Sequence, residues 1–153
     1  MVLYNTPMPK FEKNQVGQVN VSIVVTNHID QILAERGFIS NDEMRTLTLD
    51  NVLVDTGATF LSLPTVMIEQ LGLPIGSDLN IKTAAGRRQA RLFREANLIV
   101  NGRQSTFDCL ELTDIDQPLL GVTPMEILGL EPDLKNQKLR MIPMQEGETY
   151  VYA

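Results

Sequence analysis

The stretch Val52-Leu53-Val54-Asp55-Thr56-Gly57-Ala58-Thr59 carries an acid out of an apolar run and into a tight turn. Three apolar residues drive a strand toward a core, and the strand stops abruptly at Asp55-Thr56-Gly57. Upstream, from Arg45 on, Leu47 and Leu49 alternate with polar neighbours, the period of two of a strand with one buried face. An aspartate emerging there is expected at a poorly solvated position, where a carboxylate is unfavourable unless it gains donors or a proton. Thr56 offers a hydroxyl able to lock the loop, and Gly57 lets backbone N–H groups approach the acid with no Cβ in the way. An Asp that opens a turn after a strand is common in its own right, so the meaning of the triplet depends on its setting.

On the N-terminal side, Val19, Val21, Ile23 and Val25 alternate with Asn20, Ser22 and Val24, which predicts a strand. Thr26 or Asn27 can cap a short helix carrying Ile29, Ile32 and Leu33 on one stripe, with Gly37 closing it in the left-handed conformation. Residues 1–15, with Pro7 and Pro9 among polar neighbours, read as an arm, and residues 16–153 as one domain. On the C-terminal side, Phe60 to Leu63 predicts a short strand, and Pro64-Thr65 leads into a helix over Val66 to Leu71 that Gly72 and Pro74 end. Asn80 to Thr83 and Gln89 to Phe93 flank Ala84-Ala85-Gly86-Arg87 as a hairpin. Ala96 to Val100 and Gln104 to Leu112 flank Asn101-Gly102, which suits the positive φ angles of a type I′ turn. Leu119-Leu120-Gly121 precedes a second brief helix, Pro124 to Leu128, ended by Gly129. Lys138 to Ile142 and Glu148 to Tyr152 supply closing strands, so the chain is expected to be mainly β with two or three short helices.

The bulk properties agree with one packed unit. The 153 residues suit a single compact domain and leave no room for two full lobes. Thirteen Lys plus Arg against nineteen Asp plus Glu give a net charge of −6, a field that repels polyanions, so nucleic acid is not an expected partner. Hydrophobic residues at 43% support a real core. No apolar run approaches the roughly 20 residues of a membrane span, and residues 1–15 lack the apolar segment of a secretory signal, so no membrane partner and a cytoplasmic setting are expected. With one Cys (Cys109) and one His (His28), neither an internal disulfide nor a Cys/His zinc cage can form, and no metal or other cofactor is expected.

An internal echo bears on architecture. Glu69-Gln70-Leu71-Gly72-Leu73 matches Glu126-Ile127-Leu128-Gly129-Leu130, and each follows a short apolar strand and a brief helix. If the domain is two related halves, the first carries Asp55 while the second has only Gly121 among apolar neighbours.

In this order of parts the sequence resembles the retropepsin-like aspartic proteases, in particular the bacterial single-domain members. The resemblance runs over most of residues 16–142 and rests on Leu53 to Thr59, on Leu61-Ser62-Leu63-Pro64, on the hairpin around Ala84-Ala85-Gly86, and on Leu119-Leu120-Gly121 before a helix. It implies a closed acid-protease β-barrel or sandwich, one lobe per chain. It also implies an endopeptidase that hydrolyses peptide bonds with water activated by two aspartates sharing a proton. This chain supplies one Asp-Thr-Gly, so by the resemblance the dyad takes Asp55 from each of two chains, and the partners are a second copy and a peptide or protein substrate. Asp55, Thr56 and Gly57 are then the catalytic loop, with Thr56 bonding across the axis. Ala58, Leu120 and the flap-like Thr83, Ala84, Ala85 and Gly86 face substrate. The alternative is a dimeric peptide-binding or assembly module with weak or no turnover on the same fold.

Some features depart from the viral pattern. Thr59-Phe60 stands where a further acid is common, residues 27–43 look like an insertion, and the hairpin tip has one glycine followed by Arg87 and Arg88. Arg87, Arg88, Arg91 and Arg94 form a basic cluster that either favours acidic peptides or, as preferred here, is a solvated hairpin face. His28 is expected to be exposed and without a role. Cys109, between Phe107 and Leu110, is expected to be a buried small apolar side chain, and Asp114 and Asp116 a turn. The sequon Asn20-Val21-Ser22 lies inside a predicted strand and is discounted.

Overall fold

Residues 18–143 are described by a computed structural model; the expected arm over residues 1–15 and the closing strand Glu148 to Tyr152 lie outside them. The elements run β1 (Asn20–Asn27), α1 (His28–Glu35), a 3-10 turn (Asn41–Glu43), β2 (Thr46–Val54), β3 (Leu61–Pro64) and α2 (Thr65–Leu71). They continue as β4 (Ile75–Thr83), β5 (Gly86–Val100), β6 (Arg103–Leu112), β7 (Leu119–Leu120), α3 (Val122–Leu128), β8 (Leu130–Asp133) and β9 (Lys138–Met141). Seven strands form one sheet in the order β1-β2-β7-β3-β6-β5-β4, and β1 also pairs with β5, from Val24 opposite Ile99 to Asn27 opposite Ala96. That second pairing closes six strands into a ring, the expected barrel, and leaves β4 outside it as the free arm of the β4–β5 hairpin. Strands β8 and β9 make a separate ribbon.

Alternation explains the core. Ile23 and Val25 of β1, Val52 of β2, Leu61 and Leu63 of β3, Leu98 and Val100 of β5 and Cys109 of β6 are almost wholly buried, and Ile68, Leu71, Met125 and Leu128 of the two later helices pack against them. The echo read from sequence has a geometric counterpart. Helices α2 and α3 have seven residues each and end on the left-handed Gly72 and Gly129. The strands before them, β3 and β7, are antiparallel neighbours with Leu61 opposite Leu120.

Where the elements differ from expectation, long-range pairing is the cause. The predicted strands Gln89 to Phe93 and Ala96 to Val100 are one 15-residue strand, β5, bent by a bulge between Phe93 and Ala96 where Glu95 takes φ 69°. The hairpin turn is two residues, Ala84-Ala85, so Arg87 and Arg88 lie in β5. Strand β8 was not expected because Leu130-Glu131-Pro132-Asp133 carries two acids and a proline, and only β9 opposite makes it a strand.

Buried polar residues tie the helices to the ring. Asn27 caps α1 through its Oδ1, which accepts from the Asp30 N–H, and its Nδ2 donates to the Leu71 carbonyl at 2.8 Å at the end of α2. Asp30 accepts from the Arg45 backbone N–H and, bidentately, from its guanidinium. Glu111, 5% exposed, accepts from Arg91 Nε at 2.8 Å and Nη2 at 2.7 Å and from the Thr65 hydroxyl at 2.9 Å, so one acid joins β5, β6 and α2.

The acid-bearing loop is laced to the strand beside it. The Asp55 N–H donates to the Leu120 carbonyl at 2.9 Å, the Val122 N–H to Ala58 at 2.8 Å and the Thr123 N–H to Thr59 at 3.0 Å. Gly121 sits inside this lacing. A Cβ there would meet the Phe60 carbonyl oxygen at 2.4 Å and that of Ala58 at 2.7 Å, and both are backbone atoms that cannot swing away.

Two expectations follow. Gly121→Ala should lower the unfolding free energy by about 3 kcal/mol, measured in urea, because the loop backbone must move; a loss below about 0.5 kcal/mol would contradict the packing described. The second concerns acid. The Arg91 guanidinium holds the Glu111 carboxyl below the usual carboxylate range against the opposing effect of burial, and Arg45 does the same for Asp30. A depressed folded-state pKa contributes stability that is present above the ordinary carboxylate pKa and is lost as pH falls through it. Glu111→Gln should therefore be about 1–2 kcal/mol less stable at pH 7, a figure reduced for the exposed Arg91, and should close the gap to wild type toward pH 3. A gap independent of pH would contradict this.

Candidate active site

Asp55 follows the last residue of β2, where parallel pairing with β7 sets Leu53 opposite Leu119 and Val54 opposite Leu120. The Val54 N–H donates to Val19 and the Asp55 N–H to Leu120, so the segments on both sides hold the chain up to the acid and the turn begins after it. Asp55 Oδ1 accepts from the Gly57 N–H at 2.9 Å, and the Ala58 N–H returns to the Asp55 carbonyl at 3.1 Å. One carboxylate oxygen is thus held by its own loop, and a Cβ on Gly57 would press on it at 3.2 Å. The sequence suggested a poorly solvated acid. In the single chain Asp55 is half-buried and Thr56 and Gly57 are exposed, because β2 ends at the rim of the ring and not inside it. A carboxyl so placed is open in part to solvent, beside the exposed Thr56-Gly57 surface.

The sequence-predicted residues fall into two groups. Asp55, Thr56, Gly57, Ala58 and Leu120 come together at the loop and the strand laced to it. Thr83, Ala84, Ala85 and Gly86 form the hairpin tip, where the Thr83 hydroxyl donates to the Gly86 carbonyl at 2.8 Å and accepts from the Ala85 N–H, with Gly86 at φ 115°. Leu120 requires correction as a substrate-facing residue. It is fully buried and packs in the core, and strand alternation turns the half-buried Leu119 the other way.

The arginine cluster is solvent-facing as expected at Arg87, Arg91 and Arg94, which are exposed, while Arg88 is half-buried. Arg91 also grips Glu111 and lies 5.2 Å from the centre of the Phe93 ring, and Arg88 donates to Asp114. No local signal in the sequence marks these pairs, since Arg91 and Glu111 are 20 residues apart and Arg88 and Asp114 are 26. His28 is half-buried, not exposed, with Nδ1 bonded to Gln31 Oε1 at 3.0 Å. Cys109 is wholly buried, and burial pushes its thiol far above the ordinary range, which leaves it unsuited as a nucleophile. Among the described residues no group of three or more His, Cys, Asp or Glu could hold a metal ion, and no helix is long and apolar enough to cross a membrane.

Among solved structures the fold is similar to EIAV protease complexed with the inhibitor HBY-793, with 19% identity, a TM-score of 0.45, and coverage of 71% of this chain and 85% of that one. No curated protein matches significantly. The sequence profile of the family described as "gag-polyprotein putative aspartyl protease" matches residues 49–126, just over half of the chain, from β2 through the Asp-Thr-Gly loop and the hairpin into α3. With Asp55-Thr56-Gly57 following β2 at the rim of a closed β-ring, this chain belongs to the retropepsin-like aspartic protease family.

Proposed function

We propose that the chain is a homodimeric aspartic endopeptidase whose dyad takes one Asp55 from each protomer. The carrying observation is that a single Asp-Thr-Gly loop is held rigidly at the rim of the ring while the strand laced to it, Leu119-Leu120-Gly121, offers no acid. A lobe with one acid needs a second lobe, and the exposed Thr56-Gly57 face is where a two-fold mate would bring its own loop.

In that assembly two carboxyl groups about 3 Å apart share one proton, since both cannot ionise side by side. The ionised carboxylate takes a proton from a water as its oxygen attacks the peptide carbonyl carbon, and the protonated acid gives its proton to the carbonyl oxygen. As the resulting gem-diol collapses, one of its hydroxyls returns a proton to the carboxylate that gave it, the C–N bond breaks, and the leaving nitrogen takes the proton that the other acid had received from water. Thr56 stiffens the paired loops and Gly57 fixes Asp55 through its N–H. Ala58 lines the cleft floor, and the β4–β5 hairpin, tipped by Thr83, Ala84, Ala85 and Gly86, closes over an extended peptide as a flap.

Asp55→Asn should abolish cleavage of a peptide library, a loss of at least about 1,000-fold in kcat/KM, with the chain still folded and dimeric by light scattering. Cleavage at the wild-type rate would remove the proposed mechanism, and saturable peptide binding without products in the wild type would select a binding module in its place.

A further inference from the structure

Strand β4 ends the seven-stranded sheet, and β5 is its one hydrogen-bonded neighbour among the described residues, so its outer edge is free. Hairpin geometry says which groups face out. Thr83 and Gly86 flank the two-residue turn as a hydrogen-bonded pair, so Thr83, Ile81 and Leu79 direct their backbone groups to β5. Lys82, Asn80 and Asp78 direct theirs away from it. The side chains of these three are exposed, while Leu79 and Ile81 are half-buried on the other face of the strand.

The charges on this edge are not balanced within the chain. Lys82 stands opposite Arg87, and like charges directly opposite destabilise an antiparallel ladder. Asp78 stands opposite Arg91, but that guanidinium is engaged by Glu111. Neither Asp78 nor Lys82 belongs to an ion pair among the described residues.

We infer that the free edge of β4 docks β4 of a second copy of this chain, antiparallel, about a two-fold axis at Asn80. Charge decides the register. An axis at Asp78 sets that acid against itself, and an axis at Lys82 sets two ammonium groups together. Axes at Leu79 or Ile81 leave each charge opposite an uncharged residue. The axis at Asn80 sets Asp78 opposite Lys82 of the second copy at both ends of the seam, which gives Lys82 the counter-charge its own hairpin lacks.

Backbone and apolar groups agree with that register. The residues whose backbone groups face outward then meet one another, Asp78 with Lys82 and Asn80 with Asn80, and a hydrogen-bonded ladder closes across the seam. Leu79 lies opposite Ile81 of the second copy, so the half-buried apolar stripes of the two hairpins join on one face. To an unrelated strand the charges on this edge are a guard against pairing, whereas a second copy brings their complement. The edge contains no residue of the Asp55 loop, so this contact is separate from the proposed dyad interface, and it is open to a single chain and to that dimer alike.

Sedimentation equilibrium of the full chain tests this, over about 5 to 500 µM because one strand pair is a small contact. The samples are wild type, Asp78→Lys, Lys82→Glu, the chain with both changes, and an equal mixture of the two single variants. Wild type should show an association step that at least doubles its mass. Each single variant sets like charges together at both ends of the seam, so the association constant of that step should fall at least about tenfold. The doubly changed chain and the mixture of singles both put opposite charges across the seam again, and both should associate about as wild type does. A wild type of constant mass, single variants that associate as wild type does, or a mixture no better than its components would overturn the inference, and none of these outcomes bears on the endopeptidase reading.

Discussion

Two backbones approach so closely at Gly121 that a single methyl group would collide with the Phe60 and Ala58 carbonyl oxygens. Three hydrogen bonds cross the same gap, from Asp55 to Leu120, Val122 to Ala58 and Thr123 to Thr59. Because the acid sits on one side of this seam and the first turn of α3 on the other, the carboxyl position is set by two strands of the ring and not by a free loop. Preorganisation of that kind is what acid–base chemistry needs, since a misplaced carboxyl loses most of its effect.

The seam also explains why the architecture holds one acid. Strands β3 and β7 run antiparallel side by side, each leads into a seven-residue helix, and each helix ends on a left-handed glycine, so the lobe is built as two similar halves. In the first half the loop before β3 carries Asp55; in the second, the segment before β7 carries Asp114, engaged by Arg88, and Asp116, while Leu119-Leu120-Gly121, the strand laced to the Asp55 loop, has nothing ionisable. Gly121 gives its space to the Asp55 loop. The second half serves as the clamp for the loop that carries Asp55.

What was legible in the sequence is what local chemistry sets. Val52 to Gly57 announces its strand and turn, Gly72 and Gly129 end their helices as read, and Asn101-Gly102 forms the hairpin turn with φ 50° and 82°. The closure of the ring was not legible, because β1 meets β5 across about 70 residues and alternation says only which face is buried, not which strand lies beside it. Glu111 reads as an ordinary surface acid until Arg91 and Thr65, distant in sequence, enclose it. The apolar residues before Asp55 show that a strand enters the core, but where it leaves depends on its neighbours, which set Asp55 half-buried at the rim in the single chain. Leu120, taken for a cleft residue, belongs to the core because its pairing with Val54 and Leu61 covers it on both edges.

The claim on which this account depends is that one active site is made by two chains, and subunit mixing tests it most directly. Wild type and Asp55→Asn chains are unfolded together, refolded in varied proportions, and assayed for peptide cleavage. If both acids of a dyad come from different protomers, activity falls as the square of the wild-type fraction, to about one quarter at equal mixing, whereas a linear fall to about one half would mean that each chain carries a complete site of its own.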